Sequence, residues 1–166
     1  MTVTTEKTHL LDSKIRFQCQ GSGKCCVSRG SYGYVYLTKQ DRKNMAQAVG
    51  MATASFTKKY CLNEDGIFRL KMNREGPECI FLDSENKCSV YEGRPTQCRT
   101  WPFWPENMNA KVWSKEVAQF CPGVGKGPFR DKQDMLKQIE EQSRAEREIF
   151  DPELYNIAEW DVTLHR

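Results

Sequence analysis

Histidine is nearly missing from this chain: among 166 residues only His9 and His165 occur, close to opposite ends. Neither has a neighbour at ligand spacing, and both are expected in solvent. Their scarcity argues against Ser-His-Asp or Cys-His hydrolysis, because that chemistry needs an imidazole as its base. Long apolar runs are missing too, and nothing approaches the roughly 20 residues of a membrane span. The opening stretch Met1–Leu10 lacks the apolar core of a secretory leader, so a cytoplasmic setting is expected. There is little excess of one charge. Twenty-five Lys and Arg against 22 Asp and Glu leave +3, with no basic stripe for nucleic acid or an anionic membrane. Neither is expected as a partner.

What the chain does have is cysteine, eight in all. Disulfides rarely persist in a reducing cytosol, so so many thiols need another explanation, and metal binding is the first candidate. A disulfide framework is the rival. Eight in 166 is about half the roughly 8–10% typical of disulfide scaffolds, and a chain of this length can build a core without staples.

Three zones follow from composition. Residues 1–16 form a lead-in, 17–125 carry every cysteine, and 126–166 carry none and are dominated by charge. Tyr34–Leu37 reads as a short strand. Thr38 and Asp41 form an N-cap signature for a helix running through Met45, Ala46 and Val49 and stopping near Gly50. A second helix is expected from about Ser55 to Cys61, burying Phe56 and Tyr60 on one face. Phe68, Leu70 and Met72 share one face of a strand over 67–72. Cys79–Leu82 and Lys87–Tyr91 flank Asp83–Asn86 as a β-hairpin with a four-residue loop. A helix from about Asp131 to Phe150 follows, with Met135, Ile139, Gln142, Glu146 and Ile149 along one line. It is expected as a partly docked cover, with Arg144 and Glu148 in solvent. The fold class is therefore α+β: a small, irregular, cysteine-rich domain with short strands and a charged C-terminal helix.

The first thiol cluster is Cys19, Cys25 and Cys26, interspersed with Gly21 and Gly23. Glycine permits the tight turns needed around an ion, and loop N–H groups can donate to thiolate sulfurs. Cys25 and Cys26 cannot face one way from an extended backbone. Either the chain kinks there, or the two thiols serve different sites. The second cluster is Cys79, Cys88 and Cys98. With a loop at 83–86, Cys79 lies opposite Val90 and Cys88 opposite Phe81, placing the two thiols diagonally about 7–8 Å apart. That is long for a disulfide and within reach of a bridging metal. Cys121 sits in the turn Phe-Cys-Pro-Gly and is expected as a further ligand. Cys61 has no clustered partner and reads as a buried small hydrophobe. These spacings are neither the C-x2-C hooks of a zinc ribbon nor a ferredoxin run.

Phe17-x-Cys19-x3-Gly23-x-Cys25-Cys26, Cys79-x8-Cys88-x9-Cys98 and Tyr91-x2-Arg94-Pro95-x2-Cys98-Arg99-x2-Pro102-Phe103 together resemble the YkgJ-type cysteine-cluster family. The resemblance covers Phe17–Cys26 and Pro77–Pro105, and it implies zinc or iron chelation without an established reaction. Many members carry a further cysteine where this chain has Ser22, and a hydroxyl is a poor ligand beside thiolates. Either the site uses one thiol fewer, or Cys121 or Cys61 supplies it. Related motifs occur in larger proteins, including a flagellin lysine methylase for which an iron–sulfur cluster is implied. No Gly-rich cofactor-binding unit accompanies the motif here, so methyl transfer is not expected.

The expected ligands are Cys19, Cys25, Cys26, Cys79, Cys88, Cys98 and Cys121. An iron–sulfur cluster or iron is the first choice, because seven thiols exceed one four-thiolate zinc site. Zinc is the second. A cluster-dependent redox or radical enzyme is one alternative. Another is a zinc-stabilised interaction module that presents Trp101, Phe103 and Trp104 to a protein partner. Against that stands the expectation that these rings wall the metal from water. Arg94 and Arg99 either offset thiolate charge or form surface ion pairs.

Overall fold

A computed structural model describes residues 10–29 and 33–151. His9 and His165 lie outside the described residues. The elements are β1 (Arg16–Phe17), α1 (Lys39–Ala48), α2 (Thr53–Tyr60), β2 (Cys61–Glu64), β3 (Ile67–Leu70) and α3 (Thr96–Thr100). Then come α4, in three continuous segments (Ala110–Val112, the π-helical Trp113–Val117, and Ala118–Phe120), β4 (Val124–Phe129) and α5 (Lys132–Phe150). The strands make two antiparallel pairs, β1 with β4 and β2 with β3. The class is α+β, as expected.

Two apolar cores organise these parts. The first gathers Leu10, Leu11, Ile15 and Phe17 with Phe103, Met108, Trp113, Val117 and Met135. Phe103 meets Phe17 edge-on at 5.6 Å and stacks on Trp113 at 5.9 Å. The second gathers Leu37, Met45, Ala46, Phe56, Cys61, Leu70, Phe81 and Val90. The β1–β4 pair crosses both compositional boundaries, and the segment 10–16 contributes three side chains to the first core.

Local sequence explains the helices. The Thr38 hydroxyl accepts from the Asp41 N–H while the Asp41 carboxylate accepts from the Thr38 N–H, both at 3.0 Å, closing a capping box at the head of α1. Gly50, at φ +68°, follows its end. Asp131 caps α5 by accepting from the N–H groups of Gln133 and Asp134. Along α5, Met135 and Gln142 are buried, and the Gln142 amide oxygen accepts from the Thr100 hydroxyl at 3.0 Å. Glu148, expected in solvent, instead accepts from the Lys39 N–H at 3.1 Å, satisfying a free donor in the first turn of α1.

Two strand expectations need correction. Residues 34–37 make one isolated bridge, Tyr36 with Arg69. The Gln97 side chain takes the place of a neighbouring strand, accepting from the Tyr36 N–H and donating to the Tyr34 carbonyl. The 79–91 segment turns at 83–86, where the Asp83 carboxylate accepts from the Glu85 and Lys87 N–H groups. It forms a single bridge, Leu82 with Cys88, in place of a ladder. That register is one residue away from the expected one, so the diagonal placement of Cys79 and Cys88 does not hold. A one-residue slip reverses which side chains share a face.

Candidate metal centre

Thiols from three separated segments meet beside the second core. Gly23, at φ +69°, opens the 3-10 turn Lys24–Cys26. This kink leaves the sulfurs of Cys25 and Cys26 4.0 Å apart. Two thiolates on one tetrahedral ion, each about 2.3 Å from the metal, stand about 3.8 Å apart. The chain therefore kinks at Lys24–Cys26, which is one of the two arrangements open to adjacent cysteines.

The backbone then joins this turn to the second cluster. The Cys79 N–H donates to the Cys26 carbonyl at 2.6 Å and the Ser28 N–H to the Pro77 carbonyl at 2.7 Å, around a bridge between Val27 and Glu78. Gly23 seats under the 82–86 turn, where a Cβ would lie 3.0 Å from the Asn86 carbonyl oxygen. The third segment is α3, which carries Cys98. Asp41 holds it in place by accepting from the Thr96 N–H and hydroxyl, each at 2.9 Å. Gly93 makes room for this approach, since a Cβ there would meet the Asn44 carbonyl of α1 at 2.7 Å.

Cys25, Cys26, Cys79 and Cys98 line one cleft of about 50 Å³, together with Val35, Leu70 and Pro77. Cys88 is close enough to join their electrostatics. Burial pushes the thiols of Cys79, Cys88 and Cys98 up, and neighbouring sulfurs push them further. Within the Cys25–Cys26 pair, the shared hydrogen bond lowers Cys25 to about 7 and raises Cys26. Arg94 draws Cys25, Cys88 and Cys98 downward. Arg94 also stacks on Tyr91 at 3.6 Å and donates to the Tyr91 carbonyl at 2.9 Å. Arg99 takes the other role and pairs with Glu141 at 2.7 Å.

The remaining expected ligands lie elsewhere along the chain. Cys19 is exposed, and its sulfur accepts from the Gly21 N–H at 3.4 Å. The next residue back, Gln18, donates its N–H to the Gly123 carbonyl, which brings this stretch beside the turn after Cys121. Cys121 is half-buried against the first core. Cys61 is buried in the second core, as its isolation suggested, and burial raises its thiol. The Ser22 hydroxyl accepts from the Lys24 N–H at 3.4 Å. All eight thiols are free. Among the described residues no three Cys, His, Asp or Glu side chains are gathered tightly enough to hold an ion as they stand.

The aromatic run needs a correction. Phe103 is 1% exposed and belongs to the first core, so it cannot present itself to a protein partner. Trp101 and Trp104 are half-buried and meet edge-on at 4.8 Å, with Phe120 against Trp101. The Trp104 indole donates to the Gln97 carbonyl at 3.1 Å.

Cys25, Cys26, Cys79 and Cys98 thus bring soft sulfur side chains to one cleft, chemistry that suits a thiophilic cation. A sequence profile for the family CxxCxxCC, described as "Putative zinc- or iron-chelating domain", matches residues 18–122. The chain belongs to this family. A relative of this CxxCxxCC protein, the uncharacterized protein MJ0661 of Methanocaldococcus jannaschii, is 26% identical over 133 residues, covering 76% of this chain and 68% of its own length. No solved structure matches. Among the described residues of this CxxCxxCC protein, no helix is long and apolar enough to cross a membrane.

Proposed function

We propose that this chain holds iron, first as an iron–sulfur cluster, through the thiolates of Cys25, Cys26, Cys79, Cys88 and Cys98, with Cys19 and Cys121 completing the set. The observation that carries this reading is the shared cleft: Cys25, Cys26, Cys79 and Cys98 line it together, with the Cys25 and Cys26 sulfurs 4.0 Å apart, and Arg94 acts on Cys25, Cys88 and Cys98. Thiolates crowded together repel unless a cation lies among them, and cluster iron favours an all-sulfur environment. Such a group would supply electron transfer or polarisation of a bound ligand. The chain's own residues do the rest. Raised thiols keep their protons until metal arrives, so binding releases protons and affinity rises with pH. Arg94 offsets part of the remaining negative charge. A reducing cytoplasm, where free thiols survive, suits this chemistry.

Zinc is the second reading, and the 4.0 Å Cys25–Cys26 separation, close to the edge of a tetrahedral thiolate site, favours it. The test is elemental analysis and absorbance of protein purified without oxygen. Iron with a broad band near about 400 nm is expected for a thiolate cluster, whereas colourless, zinc-loaded protein overturns the first reading. Cys25→Ser and Cys26→Ser should each lower metal content and thermal stability together, because ligation and folding are linked. Full metal content in both variants would remove them from the ligand set.

A further inference from the structure

Away from the thiol basin, a groove of about 590 Å³ opens between α1, α2 and the β2–β3 pair. Its lining includes Arg42, Thr53, Ala54, Lys58, Cys61 and Asn63. The two charged residues are both cations, and no carboxylate lines it.

Arg42 is an unusual cation. Its guanidinium lies 3.8 Å over the Phe68 ring, and its Nε–H is buried without an acceptor. No carboxylate pairs with it among the described residues. Asp41, its neighbour on α1, is engaged with Thr38 and Thr96, and Glu64 on β2 with Arg69 at 2.9 Å. A buried donor without an acceptor on a charged group is costly, and an anion beside the guanidinium would offset part of that cost.

The head of α2 adds a second attraction. Its N-cap is Ala52, which has no side-chain acceptor, so the first-turn N–H groups have no side-chain cap. Thr53 and Ala54 of that turn line the groove, at the positive end of the helix dipole. Lys71 does not compete for a ligand, because its ammonium is held by the Lys58 and Lys59 carbonyls at 3.1 and 2.8 Å. Burial pushes the Cys61 thiol up, against the pull of Arg42 and Lys71.

We propose that this groove binds a small phosphate-type oxyanion, gripped by Arg42 and Lys58 against the uncapped first turn of α2. The site is separate from the metal ligands and goes beyond the metal-binding reading. Arg42 supplies a planar fork suited to two oxygens, stiffened by Phe68. Lys58 is an exposed, mobile point charge at the rim. The groove is open to solvent, so the phosphate group of a larger molecule could enter as readily as the free ion.

Inorganic phosphate, titrated into the full chain by calorimetry and by ¹⁵N NMR, tests this. Saturable binding at one site per chain is expected, with shifts in the Arg42 Nε–H and the Thr53 and Ala54 amides. Arg42→Met keeps the apolar contact with Phe68 and should weaken binding about tenfold or more. Lys58→Gln, at an exposed position where folding is not at risk, should weaken it severalfold. Lys137→Gln, on the exposed face of α5, should leave it unchanged. Phosphate that fails to saturate, or that binds Arg42→Met and Lys58→Gln as tightly as Lys137→Gln, overturns the proposal. So does binding abolished by Cys25→Ser below that variant's own unfolding temperature, which would trace the anion to the thiol basin. Stronger binding of acetate than of phosphate would reject a phosphate-type ligand.

Discussion

Asp41 shows how much can depend on one carboxylate. It is 2% exposed and accepts from the Thr38 N–H, the Thr96 N–H and the Thr96 hydroxyl. The first bond could be read from local sequence, since Thr-x-x-Asp before an apolar-periodic stretch is a cap. The other two could not, because Thr96 lies 55 residues away and nothing local marks it. The same limit applies to Arg94 and Arg99, which look alike in sequence: Arg99 on α3 meets Glu141, while Arg94 lies before the helix and stacks on Tyr91. Asp41→Ala should cost about 3 kcal/mol, because it leaves buried donors unsatisfied. Urea unfolding measures this as a lower midpoint at unchanged slope. A loss below about 1 kcal/mol would mean that water replaces the carboxylate.

At the level of elements, strong local signals were legible and weak pairings were not. The α1 cap, the α2 face carrying Phe56, and α5 from its Asp131 cap to Phe150 all carry helical period or capping chemistry over several turns. The β1–β4 pair has two residues on one side and joins parts of the chain more than 100 positions apart. Such a strand has no periodicity to detect. Local sequence marks the turn at 83–86, yet the bridge of Leu82 with Cys88 lies one residue away from the expected register, because Asp83 fixes the loop through its side chain. The glycine loop offers a test at this scale. Gly21 and Gly23 both hold positive φ, but a Cβ at Gly21 meets nothing within 4 Å while one at Gly23 meets Asn86 and Leu82. Gly21→Ala should cost only the left-handed penalty of about 1–2 kcal/mol. Gly23→Ala should cost more and also lower metal content, because it lifts the Cys25–Cys26 turn from its seat. Equal stability and equal metal content in the two variants would contradict this.

Across the whole molecule, α5 links what the two cores separate. At about 1.5 Å per residue, its 19 residues reach about 28 Å. Met135 packs into the first core, Gln142 and Glu141 grip α3, and Glu148 satisfies the head of α1. The thiol basin depends on different ties, chiefly the Cys79–Cys26 and Ser28–Pro77 hydrogen bonds and the seat of Gly23. Removing the metal should therefore loosen one part without unfolding the other. After treatment with a strong chelator, hydrogen exchange should accelerate at the amides of Cys26, Ser28, Cys79 and Ser89. It should change little at Arg130 and Met135, whose bonds flank the β1–β4 pair and open α5. Locally opened segments exchange according to their own free energy rather than the global one, so the two groups should separate clearly. Uniform acceleration would show that metal and both cores unfold as one cooperative unit, and no acceleration at Cys26 and Cys79 would show that the basin stands without a metal.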